Sequence, residues 1–248
     1  MSLIDYEKLM MGAAHEFGKI CWVYQLKISE IIGMGGDTFN RYLSLVSTST
    51  AELQRDFSKR KIPPEDIPNS YFEYLLNLVK YDSNFLLELK KAFFTFIREE
   101  IHVSVEEGLI FVGKEFSRER AMDREKFEDF QRIVREQCRL PVPEVIPKNE
   151  NAMQKKFRLR REQVAEAKRR QAEKDGSIQK MGDSISTLVA FNVGYNFENV
   201  GNLTLFQFRE LLDRAQAKYK YELDIRMIAA GGDPKKIKPK HWFGKLDN

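Results

Sequence analysis

The sequence predicts a mainly α-helical fold that contains one small β-hairpin. Apolar residues recur at the i, i+3 and i+4 spacing of an amphipathic helix over residues 69–100 and again over 123–139. Between these regions, the runs 101–105 and 109–112 are rich in β-branched and apolar residues, and Glu107-Gly108 separates them. Because two such runs joined by a short turn are typical of paired strands, we expect a hairpin there.

The composition divides the chain into three parts. The proline cluster PVPEVIP at 141–147 ends the periodic region, so we predict a helical N-terminal domain over residues 1–147. Residues 148–182 are charged and contain few large apolar side chains, which predicts a charged linker or an exposed helix. Residues 183–248 regain helical periodicity and predict a small helical C-terminal module. We expect the two modules to have separate cores, so that deletion of 184–248 leaves the first domain folded.

Short helical signals occupy the first part of the N-terminal domain. Ser29 is placed to cap one helical turn, and Asp37 is placed to restart a helix after the glycine-rich run GMGG at 33–36. Residues 39–46 then carry one apolar helical face. The loosely alternating run 22–28 is compatible with a short strand.

The strongest helical pattern follows a proline-containing loop predicted at 57–68. Asn69 or Ser70 can cap a first helix, and Asp82 or Ser83 can cap a second. The side chains that we assign to the core are Phe72, Leu75, Leu76, Val79, Phe85, Leu86, Leu89, Phe93, Phe96, Ile97, Phe127, Phe130, Ile133 and Val134.

The C-terminal module is predicted to contain a short buried helix near residues 185–189 and a long helix that begins after Thr204 and stops at Gly231. Phe206 and Phe208 lie two residues apart, so on a helix they point in different directions. We assign Phe208 to the core of the module and Phe206 to contact with a partner. The bulky side chains of the basic tail either fold back on the long helix or anchor a partner. The candidate contacts there are Ile237, Lys240, Trp242 and Phe243.

No residue pattern indicates catalysis. The run GMGG lacks the frame of a phosphate-binding loop, and the three histidines are scattered along the chain. Cys21 and Cys138 form no paired metal spacing and are predicted to be buried thiols in a reducing compartment. No stretch reaches the ~18 apolar residues of a spanning helix, and no secretory signal is visible. We therefore expect a non-enzymatic protein without metal, cofactor or membrane contact.

The positive charge is concentrated in one segment. The chain has 41 basic and 37 acidic residues, whereas residues 151–174 hold nine basic and three acidic residues and carry a net +6. The plain interpretation is a solvated helix or linker; the alternative is contact with a nucleic acid or an acidic protein. Because Phe157 is the only aromatic residue there, nucleic acid is not favoured. The possible polyanion contacts are Lys155, Lys156, Arg158, Arg160, Arg161, Lys168, Arg169 and Arg170.

Both ends of the chain resemble a known family. The segment ISEIIGMGGDTFNRYLSLVST at 28–48, and the C-terminal block at 192–246 with its NLTLFQF and GGDPKKIKPKHW runs, resemble the tail assembly chaperones of long-tailed phages of Gram-positive hosts. The resemblance leaves the N-terminal extension at 1–22 without an assigned role.

That resemblance implies a helical protein that binds the tape measure protein and helps to recruit tail tube subunits. It also implies action in the host cytoplasm and absence from the mature virion, and it leaves a homo-oligomer open. Two other functions stay open from the sequence. One is a nucleic-acid-binding or regulatory accessory protein that uses residues 155–174, and the other is a structural component of the virion tail.

Overall fold

The computed structural model describes residues 3–141, 151–174, 180–191 and 194–243, and this part of the chain is mainly α-helical, as predicted. The N-terminal helices are α1 (Tyr6–Met10), α2 (Ile28–Met34), α3 (Gly36–Ser47), α4 (Thr50–Lys59), α5 (Tyr71–Tyr81), α6 (Ser83–Ile97) and α7 (Arg124–Gln137). The later helices are α8 (Ala152–Lys174), α9 (Met181–Phe191), α10 (Leu205–Ala229) and α11 (Pro234–Ile237). The strands are β1 (His15–Phe17), β2 (Cys21–Val23), β3 (Ile101–Ser104), β4 (Leu109–Val112) and β5 (Ala121–Met122).

The predicted central elements are confirmed. The Ser70 hydroxyl accepts a hydrogen bond from the backbone N–H of Glu73 and begins α5, and the Asp82 carboxylate caps α6. Strands β3 and β4 pair antiparallel with Ile101 opposite Val112, as the hairpin prediction requires. Strand β5 extends this sheet, and β1 pairs with β2 in a second hairpin. The run 22–28, which is compatible with a short strand, overlaps β2 only at residues 22 and 23. Strands β1 and β5 were not predicted, because strands of two or three residues carry no measurable periodicity.

The predicted caps before residue 46 are wrong. Helix α2 begins one residue before Ser29, because the Glu30 carboxylate accepts a hydrogen bond of 2.7 Å from the backbone N–H of Lys27. Asp37 lies inside α3, which follows α2 directly. Gly35 joins the two helices at a φ of 87°, a left-handed conformation that only glycine adopts without strain.

Helices α3, α5, α6 and α7 enclose an aromatic core. The rings of Phe93 and Phe130 stack at a centroid distance of 5.1 Å, and Phe127 contacts Phe72 at 5.3 Å. All four side chains are buried, as their helical spacing predicts. Arg135 of α7 adds a buried polar clamp, because its guanidinium donates to the backbone oxygen of Ser47 and to the Glu52 carboxylate.

The core does not end at the predicted domain boundary. Leu203, Leu205 and Phe208 belong to the same buried cluster as Ile28 and Ile31 of α2. The backbone also connects the two parts, because the Ile28 N–H donates to the Leu203 oxygen at 2.9 Å and the Leu205 N–H donates to the oxygen of Leu26 at 2.8 Å. The expectation of separate cores is therefore wrong. The boundary at residue 147 lies outside the described residues.

Candidate partner-binding surfaces

The start of α10 is fixed to the N-terminal helices by polar side chains. Thr204 and Gln207 form a reciprocal cap, in which each side chain accepts a hydrogen bond from the backbone N–H of the other. The Thr204 hydroxyl also donates to the buried Gln25 side chain at 2.9 Å, and the Gln207 amide donates to the Met10 oxygen at 2.6 Å. The NLTLFQF run thus docks α10 onto the preceding fold, and part of the N-terminal extension at 1–22 receives it.

Phe206 is not the exposed contact that the sequence analysis assigned. Only 5% of its surface is exposed, and its ring meets Tyr6 edge-on at 5.9 Å while the Arg139 guanidinium lies 5.7 Å from the ring centre. Phe208, two residues later, is buried as predicted. Phe206 is enclosed because Tyr6 of α1 and Arg139, which follows α7, cover its ring, and Phe208 belongs to the buried core cluster.

A buried ion-pair network completes this anchor. The Glu210 carboxylate, 5% exposed, accepts hydrogen bonds of 2.7 Å from the Tyr6 hydroxyl and from Arg214, and it lies 3.1 Å from the Arg139 guanidinium. Arg139 also pairs with Asp213 at 2.9 Å. Because the Glu210 and Arg139 side chains are desolvated, each charge depends on its partners. The network therefore holds the first third of α10 against α1 and the residues that follow α7.

The distal half of α10 presents apolar side chains to solvent. Tyr219, Leu223 and Met227 recur every four residues, so they form one stripe, and they are 52%, 45% and 50% exposed. Phe191 of α9 contacts Tyr219 at a centroid distance of 5.4 Å and extends the stripe. Ile225 is exposed on another side of the helix. We refer to Phe191, Tyr219, Leu223 and Met227 as the distal stripe.

The basic tail folds back toward α10. The His241 ring lies 4.9 Å from the Tyr221 ring, and the Lys218 ammonium lies 5.7 Å from the centre of the Trp242 ring. Trp242 and Ile237 are half-buried, whereas Lys240 and Phe243 are exposed. The geometry favours the fold-back interpretation for Trp242 and leaves Phe243 as the exposed aromatic group of the tail. Partner binding by these four tail residues stays a prediction.

The basic segment is a helix, α8, which decides between the two structures predicted for it. Phe157 and Val164 are 60% and 49% exposed on the same side of α8. With Arg160, Arg161 and Lys168 they line an open concavity of about 370 Å³. The other predicted polyanion contacts also lie on α8. They are Lys155, Lys156, Arg158, Arg169 and Arg170; the side chains of Lys155 and Arg169 lie outside the description.

The side chains that could act in catalysis or bind a metal are buried or lie far from one another. Cys21 and Cys138 are buried free thiols, as predicted, and burial raises the pKa of each to about 12, so neither forms a thiolate nucleophile near neutral pH. Burial also lowers the pKa of His15. Among the residues that the structure describes, no three His, Cys, Asp or Glu side chains are grouped to hold a metal. No helix in that same part of the chain is long and apolar enough to cross a membrane.

Comparison with known proteins found a similarity for the C-terminal part of the chain. Residues 170–247 match the family model described as the YomV second domain. This part of the chain is similar to a phage-associated domain. The match includes α9, α10, the distal stripe and most of the basic tail, whereas the N-terminal helices lie outside it. No curated protein matches the chain, and no solved structure does.

Proposed function

We propose that this protein is a tail assembly chaperone of a long-tailed phage, which binds the tape measure protein and helps to recruit tail tube subunits. The match of residues 170–247 to a phage-associated domain supports a role in a phage. The resemblance of the segments at 28–48 and 192–246 to tail assembly chaperones supports this particular role. The protein then acts in the host cytoplasm, without catalysis, and leaves before the virion is complete.

The observation that carries this proposal is the exposure of the distal stripe. A holding chaperone has to offer apolar side chains to its client while the rest of its fold stays intact. The ion pairs of Glu210 and the buried rings of Phe206 and Phe208 anchor the first part of α10, and the distal stripe then continues along the same helix into solvent. Burial of such side chains contributes roughly 1.5–3 kcal/mol each. The stripe is thus the surface on which we place the apolar client.

Recruitment of tube subunits needs a second contact on the same chain. Phe243 and Lys240 are exposed on the tail, and α8 forms another exposed surface. When one chain holds two partners, the second encounter becomes intramolecular, and its effective concentration rises to the millimolar range for short flexible connections. The protein would in this way bring tube subunits to the tape measure protein.

Co-expression with the tape measure protein tests the proposal. The double variant Leu223→Ser, Met227→Ser should reduce capture of that protein by about tenfold or more. Leu87→Ser is the matched control, because Leu87 is a similarly exposed leucine on α6. Equal capture by all three chains contradicts the assignment of the stripe.

Two further readouts separate the other functions. Capture through apolar contacts should persist as salt rises, whereas binding of a nucleic acid through several cationic side chains of residues 155–174 should fall steeply. The protein should also be absent from purified phage particles. Its presence there in stoichiometric amount would favour a structural component of the virion tail.

A further inference from the structure

Helix α8 carries an apolar seam with cationic edges. Contact positions of a coiled coil follow each other at alternating steps of four and three residues. Met153, Phe157, Val164 and Ala167 fit these steps, with one further contact position between Phe157 and Val164. Arg160 occupies that remaining position. Met153, Phe157 and Val164 are all exposed large apolar residues. The seam therefore has the form of a helix-binding face with one cation at its centre.

The charge of α8 argues against a second copy of this chain as the partner. Residues 151–174 carry a net +6, so a pair of copies would bring two strongly positive helices together. A parallel pair would place Arg160 against the Arg160 of the other copy. An antiparallel pair would place the basic run 155–161 beside the basic run 168–170. Like charges in direct opposition destabilise such pairs in either orientation.

The position of the apolar residues argues against nucleic acid. Phe157 and Val164 line the concavity together with Arg160, Arg161 and Lys168. A phosphate backbone would pair with the cations but leave the apolar side chains beside it without contacts. A helix with apolar residues in its own seam would cover Phe157 and Val164. Carboxylates on that helix could pair with Arg160 through two parallel hydrogen bonds.

We propose that α8 binds an acidic amphipathic helix of a partner protein. The apolar face of the partner helix packs on Met153, Phe157 and Val164, and the carboxylates of that helix lie opposite Arg160 and Lys168. This surface is separate from the distal stripe, and the proposal does not depend on the function proposed above. It describes a second partner contact, chosen by charge as well as by apolar packing.

Binding of three labelled probes to the full-length chain tests this proposal. The first probe is a synthetic helical peptide of about 24 residues with leucine in its seam and glutamate at its flanks. The second peptide has the same seam with lysine at its flanks, and the third probe is a single-stranded DNA of similar length. At about 0.15 M salt, where charges within roughly 8 Å still interact, the glutamate peptide should bind at least tenfold more tightly than either other probe.

Paired variants locate the contact on the seam. Phe157→Ala with Val164→Ala should weaken binding of the glutamate peptide by about tenfold, whereas Leu159→Ala, on another side of α8, should leave it within about threefold. Arg160→Glu should also weaken binding about tenfold, and Arg158→Glu, which changes the charge equally on the side of α8 away from the seam, should have a smaller effect.

Three outcomes would overturn the proposal. One is binding of the DNA more tightly than of the glutamate peptide, with the DNA affinity lost in the variants of Phe157, Val164 and Arg160. Another is equal binding of both peptides. The third is self-association of the chain, measured by sedimentation, that Arg160→Glu strengthens or Phe157→Ala abolishes. Circular dichroism of each variant checks that its helical content is unchanged.

Discussion

Replacement of Glu210 by glutamine should lower the free energy of unfolding by about 3 kcal/mol. Glu210 is 5% exposed and Arg139 is 11% exposed, so the change leaves a desolvated guanidinium without its buried partner. Removal of one member of a buried pair typically costs about 3–5 kcal/mol. Asp213 still lies 2.9 Å from Arg139 and offsets part of this cost, which places the expected value at the lower end of that range.

Urea unfolding followed by circular dichroism measures this loss directly. In a thermal scan, the same change should lower Tm by roughly 6–12 °C for a chain of this size. Glu222→Gln is the matched control on the same helix, because Glu222 lies 3.9 Å from Lys218 and both side chains are largely exposed. The control should cost less than about 0.5 kcal/mol. A loss below 1 kcal/mol for Glu210→Gln would refute the anchoring of α10 by this network.

The other predictions concern the core, acid stability and truncation. Phe206→Ala and Phe208→Ala should each cost about 3–5 kcal/mol in urea unfolding, and a neutral Phe206→Ala would contradict its burial. Burial alone would raise the pKa of Glu52, but hydrogen bonds from Arg135 and from its cap outweigh it and hold this pKa below its ordinary value of 4.5. Its stabilising contribution is therefore complete above about pH 4.5 and is lost as pH falls through the lower pKa of the folded state. Glu52→Gln should accordingly lose less stability than the parent chain between pH 7 and pH 3. Deletion of 184–248 should produce an unstable or aggregating chain, because it uncovers α2; a cooperative thermal transition at the parent's Tm would contradict the shared core.

Sequence periodicity was sufficient to predict the helices, and their buried residues, where the packing partners lie nearby in the chain. Phe93 and Phe127 follow regular apolar spacing, and the helices that carry them pack against neighbouring elements, so their burial could be predicted. The burial of Phe206 could not be, because a helical pattern shows which residues share a face but not how many sides of the helix are covered. Tyr6, which covers it, lies 200 residues earlier.

The candidate surfaces show the same limit. The sequence predicts the long helix that carries Leu223 and Met227, but the exposure of these side chains depends on where the supporting core ends. The contact between Gln25 and Thr204 joins residues 179 positions apart and has no signature in periodicity. A polar residue flanked by apolar ones, as Gln25 is in YQLK, was the one available signal.

Hydrogen–deuterium exchange of the full chain, with and without the tape measure protein, tests whether the distal stripe binds that protein. We expect slower exchange on binding in residues 216–229, which carry most of the distal stripe, and unchanged exchange in α6. Protection confined to α5 and α6, or no protection in 216–229 when the complex has formed, would contradict it.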